Sequence, residues 1–294
     1  VSKDIIIGYY PGCSLEGTAE EYDRSARACC QTLGIQLETI PDWSCCGASP
    51  AHCVDHVLSG ALSARNLALA SKAGMSAVAT PCPNCLVNMR TAGRDLEDPE
   101  TRKRINRLLD TPCEDSVEAI SLLQLLVEKV GIEEITSRVT RPLAGLRVAC
   151  YYGCIMNRPP ELMNFDDPEN PMAMDRVLEA AGAVAVPFPH KTECCGAAYG
   201  VPRKDLVMEL SGRILDAAHE LKADALVVAC PLCQMNLDLR QGQVSAHKGV
   251  EYDVPVFYFT QLLGLALGLP DKDLGLNKLA VSPEKFLSKL EREG

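Results

Sequence analysis

The chain has no surplus of positive charge. Its 29 Lys and Arg stand against 39 Asp and Glu, a formal net charge of −10. Nucleic-acid phosphates need a basic surface, so this balance excludes a nucleic-acid binder and suits a subunit that meets a basic face. A bilayer-length apolar run is also missing. The longest, FYFTQLLGLALGL over 257–269, is too short to cross a membrane and contains Gln261, which predicts a buried helix. The opening residues, VSKDIIIGYYPGC, carry a short apolar stretch and a turn rather than a signal h-region. They predict a cytoplasmic protein. No Cys-x2-Cys-x2-Cys-x3-Cys-Pro run and no G-x-G-x-x-G after a strand occurs, so a ferredoxin-type relay and a dinucleotide site are both excluded.

What the chain has is cysteine. There are 15 in 294 residues, an odd number that complete intramolecular pairing cannot use. In a chain without a signal, clustered thiols point to metal binding or redox work. At 47% hydrophobic, the chain can bury one large core or two ordinary ones.

Ten of the cysteines repeat. The first half carries Cys13, Cys45-Cys46 and Cys82-Pro83-Asn84-Cys85; the second carries Cys154, Cys194-Cys195 and Cys230-Pro231-Leu232-Cys233. The gaps are 31 and 35 residues, then 39 and 34. Gly47 answers Gly196, Asn88 answers Asn236, Tyr9-Tyr10 answers Tyr151-Tyr152, and SLLQLL (121–126) answers YFTQLL (258–263). This is a duplicated domain, read as 1–144 and 145–294 with the boundary near Ala144-Gly145.

Short apolar strands are expected at 4–7, 76–80, 146–149 and 225–229, and amphipathic helices lie between them. Helical spacing joins Val54, Val57, Leu58 and Ala61, and again Val207, Leu210, Ile214 and Leu221. Strand and helix in alternation imply α/β units with a parallel sheet in each half. Ligands of such sheets sit at the carboxyl ends of strands, where the repeated cysteines fall.

A closed zinc site takes four ligands, and each half offers five. The glycine after each Cys-Cys lets the backbone bend so that both sulfurs turn to one centre. Each Cys-Pro-x-Cys opens a helix, where the dipole favours thiolates. Five thiolates repel one another, and several metal cations offset that better than one. The residues thus favour an iron–sulfur cluster in each half, with zinc as the alternative. A thioredoxin-like reading of Cys82-Pro83-Asn84-Cys85 leaves the Cys-Cys pairs and the duplication unexplained.

The order Cys, Cys-Cys-Gly, Cys-Pro-x-Cys resembles the CCG domain, and two copies resemble the B-subunit family of heterodisulfide reductase. The likeness runs from about Ile5 to Gly268. It implies a fold of two duplicated CCG domains related by pseudo-twofold symmetry. It also implies two non-cubane [4Fe-4S] clusters, one on Cys13, Cys45, Cys46, Cys82 and Cys85, the other on Cys154, Cys194, Cys195, Cys230 and Cys233. The implied activity is reduction of a disulfide, of the coenzyme M–coenzyme B type, to two thiols. The implied partners are a ferredoxin-like C-subunit and a flavin-bearing A-subunit. CCG proteins also serve lactate, glycolate, succinate and fumarate, and sulfur oxidation, so the alternative is an electron-relay subunit of such a complex. A disulfide held between two clusters calls for a cleft between the halves.

Other residues are read as structural. Cys29, Cys30, Cys53, Cys113 and Cys150, the last aligned with Gly8, are expected to pack. His52, His56 and His190 are candidate proton donors with ordinary histidine roles favoured. Lys191 is expected to be solvated, with an anionic substrate group as its alternative partner. Residues 157–171, NRPPELMNFDDPENP, read as a surface loop beside Cys154, residues 96–110 as a solvated helix, and Ser282-Pro283-Glu284 as the start of a terminal helix.

Overall fold

The computed structural model describes residues 5–48, 50–115 and 117–293. It holds two four-stranded parallel sheets. In the first, β1 (Ile5–Tyr9), β2 (Ile35–Thr39), β3 (Ala77–Thr80) and β4 (Glu118–Ser121) lie in the order β2-β1-β3-β4. In the second, β5 (Arg147–Tyr151), β6 (Val184–Ala185), β7 (Ala225–Val228) and β8 (Val256–Tyr258) repeat it as β6-β5-β7-β8. The four expected strands are all present, shifted by one or two residues; Asp4 lies outside the described residues. The 257–269 run divides into strand β8 and the helix Phe259–Ala266, every residue of which is buried.

The identical strand order explains how distant cysteines meet. Cys13 follows β1, Cys45-Cys46 follow β2 and Cys82 follows β3, and these strands are adjacent and parallel. Their C-terminal ends therefore lie along one edge, with the reversal of strand order between β1 and β3, where α/β sheets bind ligands.

Strand register corrects one sequence alignment. Tyr9 pairs with Ala79, three residues before Cys82, and Cys150 pairs with Val227, three residues before Cys230. Cys150 is thus the counterpart of Tyr9, not of Gly8, and Tyr10 is the counterpart of Tyr151. In this register both halves place two residues between that tyrosine and the first cysteine, Pro11-Gly12 before Cys13 and Tyr152-Gly153 before Cys154.

The halves share a core. The helix Glu20–Thr32 of the first half packs on the helix Phe259–Ala266 of the second. Tyr22 stacks on Tyr258 with centroids 4.0 Å apart, and Ser25 Oγ lies 2.7 Å from Thr260 Oγ1. Cys29 donates to the Thr260 carbonyl at 3.1 Å, which makes it part of this interface. The related contact sets the helix Ala173–Ala180 against Leu122–Leu125, as a pseudo-twofold axis requires.

The packing expectations hold unevenly. Cys29, Cys30, Cys113 and Cys150 are buried, but Cys53 is exposed. The stripe of Val54, Val57, Leu58 and Ala61 is split: Ala61 is buried and Val57 packs on the core, whereas Val54 and Leu58 are exposed. Asp55 caps a new helix, His56–Lys72, through its bond from Leu58 N–H, and the break leaves Val54 79% exposed. The 157–171 segment is more than a surface loop: its helix Pro160–Met163 packs on Pro83–Asp95 and buries Met163.

Candidate metal centres

Each quintet is assembled by three parallel loops. Cys82 and Cys230 are the N-caps of their helices, with Pro83 and Pro231 in the first turn, and Cys85 and Cys233 stand one turn in. Cys46 Sγ lies 3.3 Å from Cys85 Sγ, and Cys195 Sγ lies 3.7 Å from Cys233 Sγ. Gly12 and Gly153 sit at φ +73 and +78; a Cβ on either would meet Cys85 Sγ at 3.3 Å or Cys233 Sγ at 3.1 Å. The Cys13 and Cys154 loops therefore press on the sulfur of the far cysteine of their own half.

The Cys-Cys-Gly turns are built alike. Gly47 and Gly196 adopt φ +79 and +84, the left-handed region that glycine favours. A side chain at Gly47 would also meet Ser59 Cα at 3.2 Å, and one at Gly196 would meet Val207 Cα at 3.1 Å. The next backbone N–H folds back on the first sulfur: Gly47 N to Cys45 Sγ is 3.4 Å and Gly196 N to Cys194 Sγ is 3.3 Å.

A matched set of hydrogen bonds fixes these turns. Asn88 Nδ2 donates to the Cys46 carbonyl at 3.0 Å, and Asn236 Nδ2 to the Cys195 carbonyl at 3.2 Å. Ser63 Oγ and Ser211 Oγ donate to the same carbonyls at 2.9 and 3.0 Å. Tyr10 OH donates to the Ser44 carbonyl and Tyr151 OH to the Glu193 carbonyl, each the residue before its Cys-Cys pair. The register of Asn88 with Asn236 was visible in the sequence. The serines were not singled out, although they follow Cys46 and Cys195 by nearly equal distances.

The electrostatics mark the same gatherings. Burial raises Tyr10, and Cys85, Cys46, Cys45 and Cys13 add to it; Tyr151 is raised by burial, then by Cys233, Cys195, Cys154 and Cys230. Two thiols in each half are shifted toward ionisation. Cys46 is lowered to about 7 and Cys82 is also lowered, each first by its hydrogen bond with Cys85; Cys194 is lowered to about 6, first by its hydrogen bond with Cys154, and Cys195 is lowered first by its hydrogen bond with Cys233. Their partners Cys85 and Cys154 are pushed up by those same bonds. Full ionisation of either quintet therefore requires added positive charge.

The donors fit a multi-iron cluster. The fit rests on the donor set itself, five cysteine sulfurs per half, with Cys46 beside Cys85 and Cys195 beside Cys233. A lone zinc would draw four sulfurs to about 2.3 Å from one point. Buried donors without partners include Ser44 Oγ, Thr80 Oγ1 and Asn157 Nδ2, all within three residues of a motif cysteine. Buried polar groups are normally satisfied, and hydroxyl and amide donors suit the sulfides and thiolates of a cluster.

The remaining candidates sit apart from this role. Lys191 is neither solvated nor free for an anion; it is buried against Asp175 Oδ1 at 2.8 Å, with the Pro171 carbonyl also accepting from it. Tyr152 OH donates to Asp175 Oδ2 at 2.7 Å. His52 and His56 stack edge to face, with ring centroids 4.6 Å apart. His190 Nδ1 lies 2.8 Å from Glu193 Oε1.

A family profile described as the CCG cysteine-rich domain matches residues 7–90 and again 148–238. The chain is 38% identical over 281 residues to the 8-methylmenaquinol:fumarate reductase membrane anchor subunit of Wolinella succinogenes, covering 95% of this chain and 98% of that one. It is 31% identical over 291 residues to the B-subunit of the ferredoxin:CoB-CoM heterodisulfide reductase of Methanosarcina mazei, covering 97% and 96%. A solved hypothetical protein from Helicobacter pylori superposes with a TM-score of 0.74 at 16% identity; it shares the fold over 94% of this chain, which spans about half its length (52%).

Proposed function

This chain belongs to the CCG cysteine-rich-domain family, among the relatives of the heterodisulfide reductase B-subunit, and on that premise we propose that it is the two-cluster, disulfide-reducing subunit of an oxidoreductase complex. Residues 1–144 and 145–294 are its two units. Cys13, Cys45, Cys46, Cys82 and Cys85 hold one non-cubane [4Fe-4S] cluster, and Cys154, Cys194, Cys195, Cys230 and Cys233 hold the other. What supports this reading is the matched approach of motif sulfurs from separate loops at the switch point of each parallel sheet, Cys46 to Cys85 and Cys195 to Cys233, with the other motif thiols close enough to raise Tyr10 and Tyr151.

Reduction of a disulfide consumes two electrons and two protons and releases two thiols. A cluster held by each quintet would supply one of the electrons. The chain's own residues hold the thiolate loops rigid: Asn88, Ser63 and Tyr10 in one half, Asn236, Ser211 and Tyr151 in the other. The two sites are close to a common element. Tyr22 OH donates to the Ala229 carbonyl, one residue before Cys230, and the charges of both Cys230 and Cys82 raise its phenol after burial does. Such an arrangement suits delivery of two electrons to one substrate, although the contact itself is a buried interface, with Tyr22 stacked on Tyr258 and sealed from solvent. The electron donors are a ferredoxin-like C-subunit and a flavin-bearing A-subunit, in the cytoplasm.

A second reading follows from the 38% identity to a menaquinol:fumarate reductase subunit. There the chain relays electrons from a quinol to a dehydrogenase partner. No helix among the described residues is long and apolar enough to cross a membrane, so contact with a bilayer would fall to the protein surface or to a partner.

Anaerobic purification with iron and sulfide analysis, followed by spectroscopic titration, separates these readings. Two four-iron clusters whose spectra change on adding coenzyme M–coenzyme B heterodisulfide are expected. Intact clusters that ignore the heterodisulfide but are reduced by a menaquinol analogue would replace the first reading with the second. A colourless, iron-free protein would sink both.

A further inference from the structure

The two quintets lie at the ends of matching strands, and the last residue of one strand in each sheet differs in polarity. Strand β3 ends at Thr80 and β7 at Val228, each two residues before a Cys-Pro-x-Cys. Val228 pairs across the sheet with Tyr151, and the register that pairs Tyr9 with Ala79 sets Thr80 beside Tyr10. Residues paired across a sheet share a face. Tyr10 OH donates to the Ser44 carbonyl and Tyr151 OH to the Glu193 carbonyl, so this face is the one that carries the Cys-Cys turns. Alternation along β3 agrees. Val78, two residues from Thr80, packs in the core that holds Tyr10, Cys46, Cys82 and Cys85, whereas Ala77 and Ala79 pack in the other core.

Thr80 is 1% exposed and its Oγ1 has no partner. A buried hydroxyl left without a bond is costly, and valine fills the same shape with no polar atom, as Val228 does in the second half. The acceptors gathered on the Thr80 face are the sulfurs of the first quintet. Exposure divides the quintets as well: Cys13 and Cys45 are exposed, whereas Cys154 and Cys194 are half-buried. Donors aimed at sulfur and contact with water both stabilise the added negative charge of a reduced cluster, so both raise its potential. The position before each Cys-Cys pair adds a charge difference, neutral Ser44 against the carboxylate of Glu193. Two amides act the other way. Asn236 Nδ2 lies 3.5 Å from Cys195 Sγ, while Asn88 Nδ2 donates to Ser59 Oγ at 3.3 Å, and Asn157 Nδ2 is buried without a partner three residues after Cys154. They answer Thr80 Oγ1 and the unpaired Ser44 Oγ donor for donor, which leaves exposure and the carboxylate to decide the order.

We propose that the duplicated sites are unequal in potential: a cluster held by the first quintet is reduced more readily than one held by the second, and Thr80 is a residue that tunes it. This deepens the two-cluster reading and rests on it. The first electron from a one-electron donor is then held in the first half, and the second half fills after it.

The test is a potentiometric titration of the anaerobic holoprotein with dithionite, read by electron paramagnetic resonance, beside iron and sulfide analysis. Wild type is expected to show two separate one-electron waves. Thr80→Val is expected to disfavour reduction in the upper wave by about tenfold in the equilibrium constant, a fall of about 59 mV for one electron, and to leave the lower wave in place. Thr80→Ser keeps the hydroxyl and should hold the wild-type upper wave. Val228→Thr should raise the lower wave. Iron and sulfide contents should match wild type in all three. Full clusters that titrate in a single wave, or a Thr80→Val effect on the lower wave, overturn the order of the sites. Two waves that both ignore Thr80→Val overturn the role of Thr80. An iron-free wild type removes the cluster reading, and this inference with it. Should Thr80→Val fail to load iron, Val228→Thr decides: no rise in the lower wave overturns the tuning at this strand position.

Discussion

The first and second halves share the hydrogen bonds that hold their Cys-Cys turns and disagree where those regions meet the rest of the molecule. Asn and Ser side chains clasp the same carbonyl of the Cys-Cys pair in both halves, and a tyrosine hydroxyl clasps the carbonyl before it. Five residues beyond the last motif cysteine the halves part company. Arg90 donates to the Ala119 carbonyl, Gln124 Oε1 and the Leu162 and Met163 carbonyls, and so clips the second half's insertion onto the first. Its counterpart Asp238 is buried and accepts from Gln234 Nε2, Ala280 N and Val281 N, and so anchors the C-terminal segment. Geometry that sets sulfur positions is retained in both copies, and the surrounding positions differ in charge and partner. A duplicated site with unequal surroundings suits a reaction in which two electrons leave by matched routes and the substrate has two different ends.

Breaking one quintet gives the largest expected effect. Cys46→Ala and Cys195→Ala should each remove about half of the bound iron and sulfide and leave the other cluster's spectrum, because the proposed assignment gives each half its own ligand set. Loss of all iron from either variant would mean that the halves do not load independently.

Substitution of the turn glycines comes next. Gly47→Ala and Gly196→Ala each force a left-handed φ on alanine and crowd a helix Cα within 3.2 Å. Each should cost about 1–3 kcal/mol in denaturant unfolding of the holoprotein, by closely similar amounts in the two halves. A cost confined to one half would show that only that turn is strained.

Arg90→Met probes the asymmetry itself. It removes donors to four acceptors and should lower stability by about 1–3 kcal/mol. It should also speed proteolysis within 157–171, read by mass spectrometry of the nicked chain. Unchanged cleavage there would mean that the apolar contacts of Met163 suffice to hold the insertion.

The smallest difference concerns acidity. In protein stripped of metal, the thiolate is the species that alkylates, so the rate climbs with pH and levels off above the thiol's pKa. Cys194, lowered to about 6 and half-exposed, should react with iodoacetamide faster at pH 7 than Cys46, which is lowered to about 7 and buried. Peptide mapping after brief exposure measures the order, and modification of Cys46 first would reverse the ranking of the two sites.

Much of this was legible in advance because it is written locally. Alternating strands and helices, the ten repeated cysteines, the glycine after each pair and the matched Asn88 and Asn236 are all periodic or motif-bound features. Misreadings occurred where a neighbour distant in sequence decides the outcome. The stripe at Val54 to Ala61 has helical spacing, yet Asp55 caps a fresh helix and turns Val54 to solvent. Lys191 has the look of a surface lysine, but Asp175 on a separate helix takes it into the interior. Cys150 aligns with Gly8 by motif, whereas strand pairing matches it to Tyr9.

Sequence alone therefore determined the duplication, the parallel α/β class and the thiols that belong to each copy, since spacing and backbone preference act over short stretches of chain. Only the tertiary structure decided which sulfurs touch, which charge meets which carbonyl, and that Arg90 of the first half pins the insertion of the second. Those outcomes depend on which chain segments lie against each other, and that is set when parallel strands far apart in sequence align their ends along one edge.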